Sequence, residues 1–133
     1  MRIIAEPGRF YVSTAFTLAC HVIARRTVND PTLGTTSYML YLNDGVYGNF
    51  SSIIFDHQNP IPRILKCGDR FLYNTRKPVG GYDTPNVIEY SIWGPTCDGI
   101  DCISQSSTFT DILDIDDWLY FENMGGEYLD YAF

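Results

Sequence analysis

Positive charge is scarce in this sequence: nine Lys and Arg residues stand against sixteen Asp and Glu, for a formal net charge of −7. No basic run is longer than Arg25-Arg26. Phosphate backbones need a clustered basic face, so nucleic acid is not an expected partner, whereas a small cationic molecule suits the balance. Metal-binding spacing is lacking too. Cys20, Cys67, Cys97 and Cys102 form no C-x-x-C pair, and His21 and His57 complete no zinc set, so no metal is expected. A chain with a large core has no need of a disulfide framework, and reduced thiols are expected. No apolar run approaches a membrane span, and "MRIIAEPGRF" reaches Glu6-Pro7 too soon for a secretory signal. The expectation is a cytoplasmic protein with no membrane partner. Repeats, low-complexity tracts and a long helical periodicity are absent as well.

What is present is a globular composition. The 133 residues are 45% hydrophobic and 15% aromatic, enough for one domain around one core. "RIIA" at 2–5 reads as a buried strand that stops at a Pro-Gly corner. Val12, Ala15, Phe16 and Ala19 recur at i, i+3, i+4 and i+7, one face of a short helix. "HVIARRTV" at 21–28 is a strand ended by the breakers of "NDPTLGTTS". "YMLYL" at 38–42 is a strand that stops at Asn43-Asp44-Gly45, and "SSIIF" at 51–55 follows as another. Residues 57–86, with four prolines and Gly80-Gly81, read mostly as loop. "NVIEYSIWG" ending at Pro95 and the alternating "DDWLYFENMG" ending at Gly125 complete the strands. The pattern predicts a mainly β domain with one short helix and Greek-key connections.

Four stretches carry candidate chemistry: "AEPGRF" at 5–10, "YLNDGVYGNF" at 41–50 with "IIFDHQNPIPR" just after, "SIWGPTCDGID" at 91–101, and "WLYFENMG" at 118–125. Each has an ordinary reading when taken singly. Glu-Pro-Gly-Arg is a turn after a strand, and Asn-Asp-Gly is a hairpin turn. A lone Cys97 is a small hydrophobe, and a lone Asp56 is a solvated loop acid. In this order and spacing, however, they resemble the C-terminal half of the ornithine decarboxylases. These are pyridoxal-phosphate-dependent enzymes that join a TIM barrel to a β-sheet domain, and "FDHQNPIPR" resembles the fungal members most. The resemblance spans residues 2–125 and implies two parts. Residues 1–9 would be the end of the last barrel strand with the phosphate and ring-nitrogen turn, and residues 10–133 a truncated C-terminal sheet domain.

The resemblance also implies roles and a cofactor, pyridoxal 5'-phosphate. Glu6 would hold the proton on the cofactor ring nitrogen, since a carboxylate beside that nitrogen favours its charged form. Gly8 would let backbone approach the cofactor, and Arg9 would grip its phosphate. Asp56 and Asp98 would hold the substrate's distal ammonium. Cys97 would return a proton to Cα after carbon dioxide leaves, a task suited to a thiol whose pKa neighbours can move. Its turn would cross a homodimer interface into the partner's active site. Diaminopimelate-specific relatives carry Glu-Ser after this cysteine, so Asp98-Gly99 implies L-ornithine, or a similar basic amino acid, giving a plain diamine such as putrescine.

Two departures from the family pattern bear on activity. The barrel, with its cofactor-binding lysine, stacking histidine and glycine-rich phosphate loop, has no counterpart in the sequence; Lys66 and Lys77 match no family lysine. At the other end "FENMGGEYLDYAF" sets the phosphate-binding tyrosine, Tyr128, one residue late, and a one-residue slip in a strand reverses the face a side chain takes. Three readings stand: a fragment of a decarboxylase inactive by itself, an antizyme-inhibitor-like module that pairs with a full-length decarboxylase or with antizyme, and an inactive truncated product.

Overall fold

The computed structural model describes residues 1–5, 7–32, 34–75 and 87–126. It is mainly β, with one seven-stranded curled sheet whose neighbouring strands are partly out of sequence order. The strands are β1 (Leu18–Asp30), β2 (Thr35–Leu42), β3 (Pro62–Cys67), β4 (Arg70–Phe71), β5 (Ile88–Trp93), β6 (Cys102–Phe109) and β7 (Trp118–Phe121). Their order across the sheet is β4-β3-β7-β1-β2-β5-β6. All pairs are antiparallel except β2 with β5.

β1 organises the sheet. Its first residues pair with β7, from Leu18 opposite Phe121 to His21 opposite Trp118. From Val22 onward it pairs with β2, and the register slips between Val22 and Ala24. Such an irregularity bends a strand and strengthens its twist, so one long strand belongs to both halves of a curled sheet. Alternation then decides what is buried. Cys20 and Val22 of β1, Leu40 and Leu42 of β2, and Tyr90 and Ile92 of β5 point inward to meet Leu113, Leu119 and Phe121. Each such side chain contributes about 1.5–3 kcal/mol by leaving water. Phe50, from the loop after β2, joins them edge-on to Phe121 at 4.7 Å, which moors that loop to the core.

Several elements differ from the sequence expectation. Residues 2–5 pair with no described strand, and Ile3 and Ile4 are exposed; an apolar stretch with no neighbouring strand gains no burial there. The first helix, α1 (Arg9–Val12), lies earlier than expected and passes into a 3-10 turn at Ser13–Ala15. Val12 and Phe16 are exposed and Ala19 lies in β1, opposite Tyr120, because pairing with β7 outweighs a short helical period. "SSIIF" is a second helix, α2 (Ser52–Phe55): Phe50 and Ser52 are buried on either side of its start, and that anchoring overrides β-branched propensity. Asn43-Asp44-Gly45 makes no hairpin, since the next partner of β2 is the parallel β5. The supposed loop after residue 57 contains β3 and β4, so Lys66 lies in a strand; Lys77 is outside the described residues. β6 lies where no strand was expected, because "CISQSSTF" is polar over most of its length. β7 does not alternate, as Leu119, Tyr120 and Phe121 are all buried between β1 and β3. No helix among the described residues is long and apolar enough to cross a membrane.

Candidate active-site turns

Two loops meet beside the β2–β5 ladder, and both begin where a strand ends. The first, 43–51, leaves β2. Asp44 folds it by accepting hydrogen bonds from the Gly45 N–H at 2.8 Å, the Asn49 N–H at 3.2 Å and the Asn49 side-chain amide at 2.6 Å. The second, 94–101, leaves β5. The Gly94 N–H donates to the Asp101 carbonyl at 2.8 Å, and the Asp101 N–H donates to the Asp98 carbonyl at 3.0 Å, closing a tight turn. Cys97 and Asp98 sit exposed on it, and Cys97 is a free thiol.

Asp98 is held from two sides. Its Oδ1 accepts from the Ile100 N–H at 3.0 Å, and its Oδ2 accepts from the Tyr47 hydroxyl at 2.5 Å. These two donors hold its carboxyl below the usual carboxylate range, the Ile100 N–H contributing most and Tyr47 next. Tyr47 shows the reciprocal effect: its bond to Asp98 pushes the phenol above its ordinary value. Asp98 is therefore an ionised acceptor at neutral pH, fixed in direction yet open to solvent. A carboxylate so placed can receive a cation. Sequence reasoning found Cys97 and Asp98 and missed Tyr47. Its only sequence signal was its place three residues after Asp44 in the same motif.

The other expected residues lie elsewhere. Asp56 caps the end of α2, exposed, its N–H bonded to the Ser52 carbonyl at 3.0 Å. No hydrogen bond or ion pair among the described residues joins it to Cys97 or Asp98. Gly8 precedes α1 in open space. Arg9 lines a cleft of about 190 Å³ with Gln58, Asn59, Arg63, Glu122 and Asn123. It donates to the Asn123 carbonyl at 3.4 Å, while its Nε is buried with no hydrogen-bond partner among the described residues. Glu6 and Tyr128 fall outside the described residues.

The model of the pyridoxal-dependent decarboxylase C-terminal sheet domain matches residues 10–125. The chain belongs to this family. Among its decarboxylase relatives, ornithine decarboxylase of Neurospora crassa is 51% identical over 94% of this chain and 29% of its own length. Antizyme inhibitor 2 of Xenopus laevis is 41% identical over 94% of the chain and 26% of its own. The crystal structure of Paramecium bursaria Chlorella virus arginine decarboxylase bound to agmatine superposes with a TM-score of 0.67 and 30% identity, over 91% of this chain and 27% of that one. The chain thus spans less than a third of these relatives, and its similarity to them is to their sheet domains.

Proposed function

We propose that this domain is the C-terminal half of a pyridoxal-phosphate-dependent decarboxylase that converts L-ornithine to putrescine and carbon dioxide. The observation that carries the reading is the 94–101 turn, which offers a free thiol next to a carboxylate kept ionised by Tyr47 and the Ile100 N–H. An ammonium and a carbanion are the two substrate features such a pair serves.

The residues at the other end suit the cofactor. Arg9 has a buried Nε with no hydrogen-bond partner among the described residues, in a cleft with the amides of Gln58 and Asn59 and with Arg63, which is paired at 3.4 Å with the Glu122 carboxylate lining the same cleft. A phosphate is an anion with acceptors to match those donors. Bound there, the cofactor would supply the electron sink that makes loss of carbon dioxide from an amino acid feasible. This chain's own residues do the rest. Glu6 keeps a proton on the ring nitrogen by opposite charge. Asp56 of one subunit and Asp98 supplied by the other receive the distal ammonium, so the substrate is held at a fixed extension. Cys97 gives its proton to Cα once carbon dioxide has left, which directs the product to the amine. In this reading the 94–101 turn serves the site of a second subunit, and residues 1–9 continue a barrel strand into the phosphate turn. The domains would then number two, 1–9 with the barrel and 10–133 with the sheet.

The test joins this domain to the barrel of the Neurospora crassa enzyme. The hybrid should release putrescine from ornithine faster than cadaverine from lysine or agmatine from arginine. No diamine from any of the three would refute the reading. A second reading is a regulatory module, favoured by the likeness to antizyme inhibitor 2 over the same residues. A hybrid that binds antizyme and yields no diamine would select it.

A further inference from the structure

Asp101 is the one acid of the 94–101 turn with no exposed surface. Its carboxylate lies between the two loops. Oδ1 accepts from the Val46 N–H of the first loop at 2.9 Å. Oδ2 accepts from the Thr96 N–H at 3.0 Å and the Thr96 hydroxyl at 2.6 Å in its own turn. Two glycines leave the space it fills. A Cβ on Gly45 would stand 2.2 Å from Oδ1, and one on Gly94 would stand 2.1 Å from it, so neither position has room for a side chain. A buried charge with three donors holds those donors in one arrangement. Val46 precedes Tyr47, and Thr96 precedes Cys97.

We propose that Asp101 is a positioning residue. Its carboxylate fixes the Cys97-Asp98 turn against the Tyr47 loop, and so sets where the proton donor and the ammonium acceptor stand. The Tyr47–Asp98 bond closes the solvent side of the same junction, and Asp101 closes the core side. The effect on catalysis rests on the decarboxylase reading; the junction itself does not.

The experiment therefore has two arms. In the 133-residue chain, amide hydrogen exchange is followed at Val46 and Thr96 in the parent, Asp101→Asn and Thr96→Val. Asparagine turns one acceptor into a donor facing another donor. Its exchange at both amides should rise on the order of a hundredfold, while Leu40 and Ile92 in the central strands keep parent protection. Thr96→Val removes one donor only and should give about a tenfold rise. Should Asp101→Asn fail to fold, Thr96→Val carries this arm. In the hybrid enzyme, the same variants should raise the fraction of aldehyde product and the KM for ornithine, because both the thiol and the carboxylate move. Unchanged exchange at Val46 and Thr96, or a rise spread evenly through the central strands, overturns the proposal. So does altered exchange with parent product partition and parent KM in an active hybrid. A parent hybrid without activity would refute the decarboxylase reading, and the exchange arm would still decide the junction.

Discussion

At the scale of single residues, the Tyr47–Asp98 pair has a direct consequence for titration. The folded-state pKa of Asp98 is lowered, so the favourable contribution of the pair is present above the ordinary aspartate pKa and is lost as pH falls through the depressed value. Tyr47→Phe removes the second cause and leaves the Ile100 N–H. The Asp98 carboxyl, followed by carbon-detected NMR titration, should then move upward, only part of the way to an ordinary aspartate. No movement would mean that the phenol does not stabilise the ionised form. Cys97 offers a chemical counterpart. Cys97→Ala in the active hybrid should slow turnover and divert product to the aldehyde, since a carbanion with no donor at Cα would be protonated on the cofactor side instead, and hydrolysis by water would then leave the amino group on the cofactor. Putrescine alone, at the parent rate, would remove the thiol from the mechanism.

At the scale of elements, one buried hydroxyl ties two points of the loop that follows β6. Tyr90 on β5 is buried; its OH donates to the Asp111 carbonyl at 3.1 Å and accepts the Leu113 N–H at 3.0 Å. Tyr90→Phe would leave that buried N–H unpaired, and should cost about 1–3 kcal/mol in urea unfolding. A loss well under half of that would show that the segment is held by the ion pairs Arg25–Asp114 and Arg70–Asp111 instead. The elements also show what a sequence can yield. β1, β2, β5 and β7 were legible because β-formers and breakers mark them. α2 was misread because "SSIIF" has strand composition, and its helix depends on where Phe50 and Ser52 are buried, which no local pattern carries. β6 was invisible because its serines contribute no apolar period. The family resemblance singled out Cys97, Asp98 and Asp56; the structure sets Cys97 and Asp98 on one turn and Asp56 apart, at the end of α2. Tyr47 and Asp101 were not legible, because their importance lies in a contact between loops 51 and 55 residues apart in sequence.

At the scale of the whole molecule, site and core share one anchor. Phe50 is fully buried against Phe121, and it closes the same loop that carries Tyr47. Phe50→Ala should cost about 3–5 kcal/mol of stability by calorimetry, a loss borne by sheet and site together. A Phe50→Ala chain that kept its parent melting temperature would contradict that shared anchor.

The central claim is that this domain supplies half of a decarboxylase site shared between two subunits, and mixed dimers test it most directly. One full-length hybrid carries Asp98→Ala, which should reduce kcat/KM about a hundredfold by removing one of the two acceptors of the substrate ammonium. The other lacks the barrel's cofactor-binding lysine. Random pairing makes about half the dimers mixed, each with one complete site, so roughly a quarter of full activity should return on mixing. Subunits that demonstrably exchange and restore no activity would place Asp98 and the lysine in the same chain's site, and the claim would fail.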